Sequence, residues 1–274
     1  MRITTLIENH SSPLAPKLKE EHGLSFFIEN KGHMVMSDVG QSGKFADNAR
    51  QLGVSLARVE AVVISHHHYD HGGGLGRFFE ENDHAMVYLR RSTDEAHVAE
   101  DASGVIRTIG LDDALLQRYS KRIVMVEETA EILPGLHVIT DIPHPYPKPS
   151  GDLRLKARIQ GKLTTDLFNH ELVTVLENER GLVILTGCAH QGVLNMISAT
   201  REVFPSKPIL AVIGGLHLYR EQESEVRMIA ETLGNWDIQR VITGHCTGEE
   251  AADTLEEVLG DRLERLYTGL VMEF

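Results

Sequence analysis

Four candidate metal ligands, His66, His68, Asp70 and His71, lie close together in the chain. The apolar residues 61–64 before them predict a short buried β-strand, and the three glycines after them predict a loop that leads into a helix. Alternate side chains of an extended segment face the same way, so we expect His66, His68 and Asp70 to converge, with His71 on the next turn. Imidazoles and carboxylates are ligands for zinc, manganese and iron. Because four such groups exceed what one ion takes from one loop, the segment predicts two metal ions side by side.

Three later apolar runs each end in glycine and then histidine, at His190, His217 and His245. In layered α/β proteins ligands gather at strand ends, where glycine lets the backbone turn sharply. A single histidine at a strand end is usually structural, but three repeats of this arrangement indicate a shared site. We therefore expect these histidines to lie near the first loop.

The pattern His66-x-His68-x-Asp70-His71, entered from an apolar strand, resembles the signature of the metallo-β-lactamase superfamily of metal-dependent hydrolases. The resemblance implies that His66 and His68 bind one metal ion. It implies that Asp70 and His71 bind a second.

The resemblance also implies ligands from the later loops. His190 is the candidate for the third ligand of the first ion, and His245 is the candidate for the last ligand of the second. The bridging residue is normally an aspartate in a Thr-Gly-Asp sequence, and Cys188 stands at that place. Either its thiolate takes part in the bridge, or a water or hydroxide alone joins the metals. Cys246 is expected to pack beside the site, because alternation points it away from its neighbour His245.

Two further residues have more than one interpretation. By resemblance, Asp38 accepts a hydrogen bond from a metal-binding histidine, although its position after a strand also suits a helix or turn cap. His217 lies on the implied rim of the active site. There it binds substrate or phosphate as a catalytic candidate, ligates a metal, or has a structural role.

The order of apolar runs predicts a β-meander near the start and a regular alternation of strands and helices from residue 172. Two β-rich halves with flanking helices fit the fold of the superfamily, a four-layer αβ/βα sandwich of the α/β (α+β) class. No linker or internal repeat divides the chain. We expect one domain over residues 1–274, with a substrate-shaping insert around residues 90–150 and a second specificity loop at residues 9–23.

Composition limits the classes of function. The formal net charge of −13 argues against a nucleic-acid substrate, which needs a basic surface to hold its phosphates. No segment reaches the roughly 20 apolar residues of a membrane span, and the N-terminus lacks the regions of a signal peptide. Two cysteines are consistent with a reducing compartment. We expect a cytoplasmic protein with a small-molecule substrate, and the composition favours no oligomeric state.

Three motifs narrow the resemblance: Thr-Gly-Cys-Ala-His at residues 186–190, Gly-Gly-Leu-His-Leu at 214–218 and Thr-Gly-His-Cys-Thr-Gly at 243–248. They are similar to the branch that includes the methanopterin-pathway synthases, which join a dihydropterin to ribofuranosylaminobenzene phosphate. The first hypothesis is a hydrolase with two divalent metal ions that activate water against a small phosphorylated or ester-type substrate. Zinc is the favoured metal, with manganese and iron as alternatives, and Asp70 orients the water or accepts its proton. The other hypotheses are the synthase reaction itself and a non-catalytic metal- or ligand-binding sensor.

Overall fold

The computed structural model describes residues 1–11 and 15–274. In chain order its strands are β1 (Arg2–Ile7), β2 (Ser25–Asn30), β3 (His33–Ser37), β4 (Ala61–Ile64), β5 (Met86–Arg90), β6 (Ala96–Glu100), β7 (Ile106–Thr108), β8 (Ile123–Val126), β9 (Ala130–Leu133), β10 (Leu136–Ile139), β11 (Leu155–Ile159), β12 (Lys162–Thr165), β13 (Val173–Glu177), β14 (Leu182–Leu185), β15 (Ile209–Gly214), β16 (Ile238–Thr243), β17 (Leu263–Arg265) and β18 (Val271–Glu273). Its α-helices are α1 (Lys44–Gln51), α2 (Tyr69–Gly72), α3 (Leu75–Glu81), α4 (Asp113–Arg118), α5 (Val193–Val203), α6 (Glu223–Asn235) and α7 (Glu249–Leu259). The loop predicted at residues 9–23 includes residues 12–14, which lie outside the described part of the chain.

Two seven-stranded sheets form the centre of the protein. The first has the strand order β18-β1-β2-β3-β4-β5-β8, and the second has the order β17-β16-β15-β14-β13-β10-β9. Strands β3, β4 and β5 are parallel, as are β14, β15 and β16. The carboxyl ends of each parallel set therefore lie at one edge of their sheet.

The apolar side chains form three buried clusters, one between each pair of adjacent layers. Val63 on β4 shares a buried cluster with Leu185 of β14, so this face of the first sheet packs on the second. The alternate residue Val62 belongs to a cluster with Phe45 of α1 and Phe78 of α3. Helices α5, α6 and α7 cover the outer face of the second sheet through a third cluster. This is the predicted four-layer αβ/βα sandwich.

A separate four-stranded sheet, β12-β11-β6-β7, comes from residues 96–165. The backbone N–H of Tyr69 donates to the carbonyl of Ile109 at 2.9 Å. This hydrogen bond joins the end of β7 to residues 65–72, called the first histidine loop below. The sequence did not predict this sheet, because β7 is exposed along its whole length and shows no apolar alternation.

The first histidine loop differs from the extended segment that the sequence predicts. Residues 66–68 precede α2, whereas Asp70 and His71 lie on it. The convergence of Asp70 with the histidines is therefore due to a helical turn, and the alternation argument for Asp70 was wrong. None of the helices in residues 1–11 and 15–274 combines the length and apolarity needed to cross a membrane.

Candidate metal centre

The first donor group consists of His66, His68 and His190, whose ligand atoms lie within 4.8 Å of one another. Nε2 of His66 is 3.0 Å from Nδ1 of His68, and all three side chains are buried. Two nitrogen ligands of one tetrahedral zinc ion stand roughly 3.3 Å apart. Nε2 of His190 has no hydrogen-bond partner among the described residues. A buried imidazole nitrogen left unpaired beside two others fits a metal ligand.

The second donor group consists of Asp70, His71 and His245, with His22 beside it. Oδ2 of Asp70 lies 3.3 Å from Nε2 of His245 and 3.8 Å from Nε2 of His71. The two histidine nitrogens are 3.3 Å apart. His22 was not predicted, yet its Nε2 is 3.1 Å from the same carboxylate oxygen and its side chain is 54% exposed. The second group thus combines a carboxylate with histidines and is partly open to solvent.

Cys188 lies between the two groups. Its Sγ is 3.1 Å from Nε2 of His71, and it lies within 4.8 Å of ligand atoms of both His66 and His71. Sγ of Cys246 lies 3.6 Å from the carbonyl oxygen of Cys188. Cys188 and Cys246 both line a cavity that opens onto the two donor groups. The expectation that Cys246 points away was wrong, because His245–Thr247 is a 3-10 turn and alternation does not apply.

Asp38 contacts a histidine of the second group. Its Oδ2 accepts from Nδ1 of His71 at 2.7 Å, and its Oδ1 accepts from the backbone N–H of Ser65 at 2.8 Å. These bonds direct Nε2 of His71 toward the second group. Asp38 has a φ of +57°, a conformation that aspartate and asparagine adopt more readily than other non-glycine residues.

Asp152 contacts two of the predicted histidines. Its Oδ1 accepts from Nδ1 of His190 at 2.8 Å and lies 2.9 Å from Nδ1 of His217. The ring of Phe168 stacks on His190 with a centroid distance of 4.2 Å. Together these contacts fix the ring of His190 with Nε2 facing the first group. Asp152 was missed because it follows a proline-rich segment, where no local spacing signals a contact with residues 190 and 217.

The carboxyl end of β1 fixes His245. Oε1 of the buried Glu8 accepts from the backbone N–H of His245 at 2.5 Å, and Oδ1 of Asn9 accepts from its Nδ1 at 2.9 Å. His245 itself has a φ of +51°. Such backbone strain persists where surrounding contacts enforce it, often at functional sites.

Residues 166–171 support the first histidine loop from behind. Oδ2 of Asp166 accepts from Nδ1 of His97 at 2.9 Å and from Nε2 of His170 at 3.3 Å. Nδ1 of His170 then accepts from the backbone N–H of His67 at 3.1 Å. This buried network joins the four-stranded sheet to the ligand loop, and none of it was predicted from the sequence.

The two groups differ in their electrostatics. Burial, together with neighbouring histidines, holds the pKa of His66 well below its usual range, and burial likewise lowers the pKa of His68. Burial also lowers the pKa of His71, but Asp38 and Asp70 outweigh it and raise that pKa to about 9. Without a metal ion these carboxylates keep a positive charge on His71. A divalent cation in the second group would supply that charge instead.

A cavity of about 240 Å³ opens onto both donor groups. This volume suits a small molecule or part of one. It is lined by His22, His68, Tyr69, Asp70, Ala99, Arg107, Ile109, Leu155, Cys188, His190, His217, Tyr219, His245 and Cys246.

The family model of the metallo-beta-lactamase superfamily matches residues 18–192. This span includes the whole first histidine loop and His190. The chain belongs to the metallo-beta-lactamase superfamily, whose members are generally metal-binding enzymes.

Relatives and solved structures extend the match to the full length. The 7,8-dihydropterin-6-methyl-4-(beta-D-ribofuranosyl)-aminobenzene-5'-phosphate synthase of Methanocaldococcus jannaschii is 24% identical and aligns with 100% of this chain and 97% of that protein. The crystal structure of Tm1679, a metal-dependent hydrolase of the beta-lactamase superfamily, has a TM-score of 0.85 and 28% identity, with coverage of 100% and 99%. Zn(2+)-bound PqqB from Methylobacterium extorquens shares the fold, with a TM-score of 0.57, 11% identity and full coverage of both chains. The predicted superfamily and fold class are confirmed.

Proposed function

We propose that this protein is a hydrolase that uses two divalent metal ions to activate water against a small phosphorylated or ester-type substrate. The observation that carries the proposal is the pair of donor groups on one cavity, with the sulfur of Cys188 between them. The likeness to Tm1679, a metal-dependent hydrolase by description, supports the same reaction class.

In this proposal the first group would hold one ion and the second group the other, and the sulfur of Cys188 would be available as a ligand to both. Histidine nitrogen and cysteine sulfur favour zinc, while the carboxylate of Asp70 is also compatible with manganese and iron. When bound, such ions lower the pKa of a shared water and polarise the bond under attack.

The side chains of the protein orient the reactants. Asp70 accepts a hydrogen bond from the attacking water and receives its proton, and His22 holds the carboxylate from the solvent side. His217, which is fixed by Asp152, contacts the substrate.

One domain spans residues 1–274, and the insert around residues 90–150 contributes Ala99 and Arg107 to the cavity wall.

A synthase reaction is the second candidate, because the full-length relative from Methanocaldococcus jannaschii carries that name. It would use the same metal ligands to join an aryl riboside phosphate to a pterin that carries a diphosphate ester, with that diphosphate released as pyrophosphate. Product analysis separates the two: simple phosphodiester turnover without a pterin product supports the hydrolase, and the reverse supports the synthase.

The His68→Ala variant tests the proposed function. We expect loss of the first metal ion and at least about a 1,000-fold loss of phosphodiester hydrolysis, because the nucleophile is no longer activated. His84→Ala, which removes an exposed histidine that does not line the cavity, is the matched control. Circular dichroism checks that both variants fold. Full activity of His68→Ala would refute the site, and two bound ions with neither ester turnover nor a pterin product would instead support the sensor.

A further inference from the structure

The part of the cavity wall that the four-stranded sheet contributes carries a cation. Arg107 on β7 and its cross-strand partner Ala99 on β6 both line the cavity. The strand is fixed in place because the next residues pair with the first histidine loop, where His68 and Gly110 form a bridge. A positive charge therefore lies at a defined position beside the ligand loop.

Arg107 is the arginine among the residues that line the cavity, and unlike the arginines that pair with carboxylates elsewhere in this acidic chain it has no such partner in the part of the chain that the structure describes. Arg265, for comparison, contacts Glu249, Asp253 and Glu256. In the described residues, no ion pair with a carboxylate within 4.0 Å involves Arg107. In a protein with a net charge of −13, an arginine without such a pair that faces a cavity is available for an anion.

Arg107 lies near Tyr69, which precedes Asp70. Both residues line the cavity, and the backbone N–H of Tyr69 donates at 2.9 Å to the carbonyl of Ile109, two residues after Arg107. The cation is therefore next to the loop that carries the second donor group.

The same cavity also offers an aromatic surface. Tyr219 lines the cavity and is 49% exposed. Its ring packs edge-on against His217 at 5.2 Å, and the guanidinium carbon of Arg220 lies 5.0 Å from its centroid. A flat or apolar part of a ligand has a contact surface there, while a charged part faces Arg107.

We propose that Arg107 binds a phosphoryl oxyanion of the substrate and selects phosphorylated over neutral substrates, while Tyr219 contacts the apolar part of the molecule. A guanidinium forms paired charge-assisted hydrogen bonds with phosphoryl oxygens. This inference rests on the proposed function, because it names the substrate class of the same site.

The test uses calorimetric titration of the metal-loaded protein with phenylphosphonate, which cannot be hydrolysed. We expect Arg107→Gln to weaken binding about 10- to 100-fold, because a charge-assisted hydrogen bond is lost, and Arg107→Lys to fall between it and the wild type. Arg158→Gln is the matched control on the same sheet, outside the cavity lining, and should bind within about twofold of the wild type.

Benzoate is the second probe, since a carboxylate is the other common oxyanion. Weaker benzoate binding than phosphonate binding supports the phosphoryl assignment, and equal binding with the same dependence on Arg107 overturns it. Unchanged phosphonate binding in Arg107→Gln, or no binding to the wild type, also overturns the inference.

Hydrolysis assays separate this inference from the proposed function. If His68→Ala abolishes phosphodiester hydrolysis and Arg107→Gln leaves both binding and KM unchanged, the hydrolase stands and the role of Arg107 fails. If phosphonate binding depends on Arg107 but the wild type hydrolyses no ester, the binding role stands and the hydrolase fails.

Discussion

The two donor groups are adjacent but physically unlike. The first contains only histidines, and all three of their side chains are buried. The second contains Asp70, and its His71 contacts a further carboxylate, that of Asp38. The half-exposed His22 lies at the outer side of this group. Neutral nitrogen ligands favour borderline cations such as zinc, whereas carboxylates also suit harder cations such as manganese. If the proposed function is correct, this difference leads us to expect that each group can lose its ion without the other.

The largest effect on the second group is expected from Asp70→Ala. The variant removes the carboxylate of that group, so bound metal should fall from two ions per chain to one and hydrolysis should fall at least about 100-fold. Elemental analysis and an ester assay measure both effects. Asp83→Ala, at a fully exposed aspartate, is the control. Retention of two ions in Asp70→Ala would mean that Asp70 is not a ligand of the second ion.

Asp38 and Asp152 each contact a histidine of one group only, so variants of these two carboxylates should affect the two ions separately. Asp38→Asn keeps a residue type that tolerates the positive φ at this position but loses the charge that holds His71. Its affinity for the second ion should fall about 10- to 100-fold, with the first ion unaffected.

The reciprocal change is Asp152→Asn, which alters the contact with His190. The affinity for the first ion should fall by a similar factor of about 10 to 100, and the affinity for the second ion should not change. Competition with a chromophoric chelator measures both variants, and each serves as the control for the other. Equal weakening of both ions by either variant would contradict two separable groups.

The smallest effect is expected from His22→Ala. Its side chain is more than half exposed and contacts Asp70 across 3.1 Å, so solvent screens the interaction. Affinity for the second ion should fall less than about fivefold. A loss as large as that of Asp70→Ala would make His22 a ligand in its own right.

The sequence predicted the parts of the protein that carry a periodic signal. Strands β4 and β15 are buried along their whole length and β16 is buried over its last three residues. A histidine follows closely after each of them, at His66, His217 and His245. These features depend on neighbouring residues in the chain, so the local pattern contains them.

The unpredicted parts depend on contacts between distant residues. Asp152 and His22 act on residues far away in the chain, from loops without periodicity. The four-stranded sheet was missed because its outer strands, Ile106–Thr108 and Lys162–Thr165, are mostly exposed and show no buried alternation. The directions of Asp70 and Cys246 were wrong for one common reason: each lies on a helical turn, where the two-residue period of a strand does not hold.

In the proposed function, the two groups and the sulfur between them form one centre for two metal ions. The most direct measurement is elemental analysis of the purified protein, with metal per chain compared between the wild type and Cys188→Asp. We predict two ions per chain in both, because the aspartate restores a bridging ligand at the position of the thiolate. One ion or none in the wild type, with a second gained in Cys188→Asp, would contradict a dinuclear centre in the natural chain.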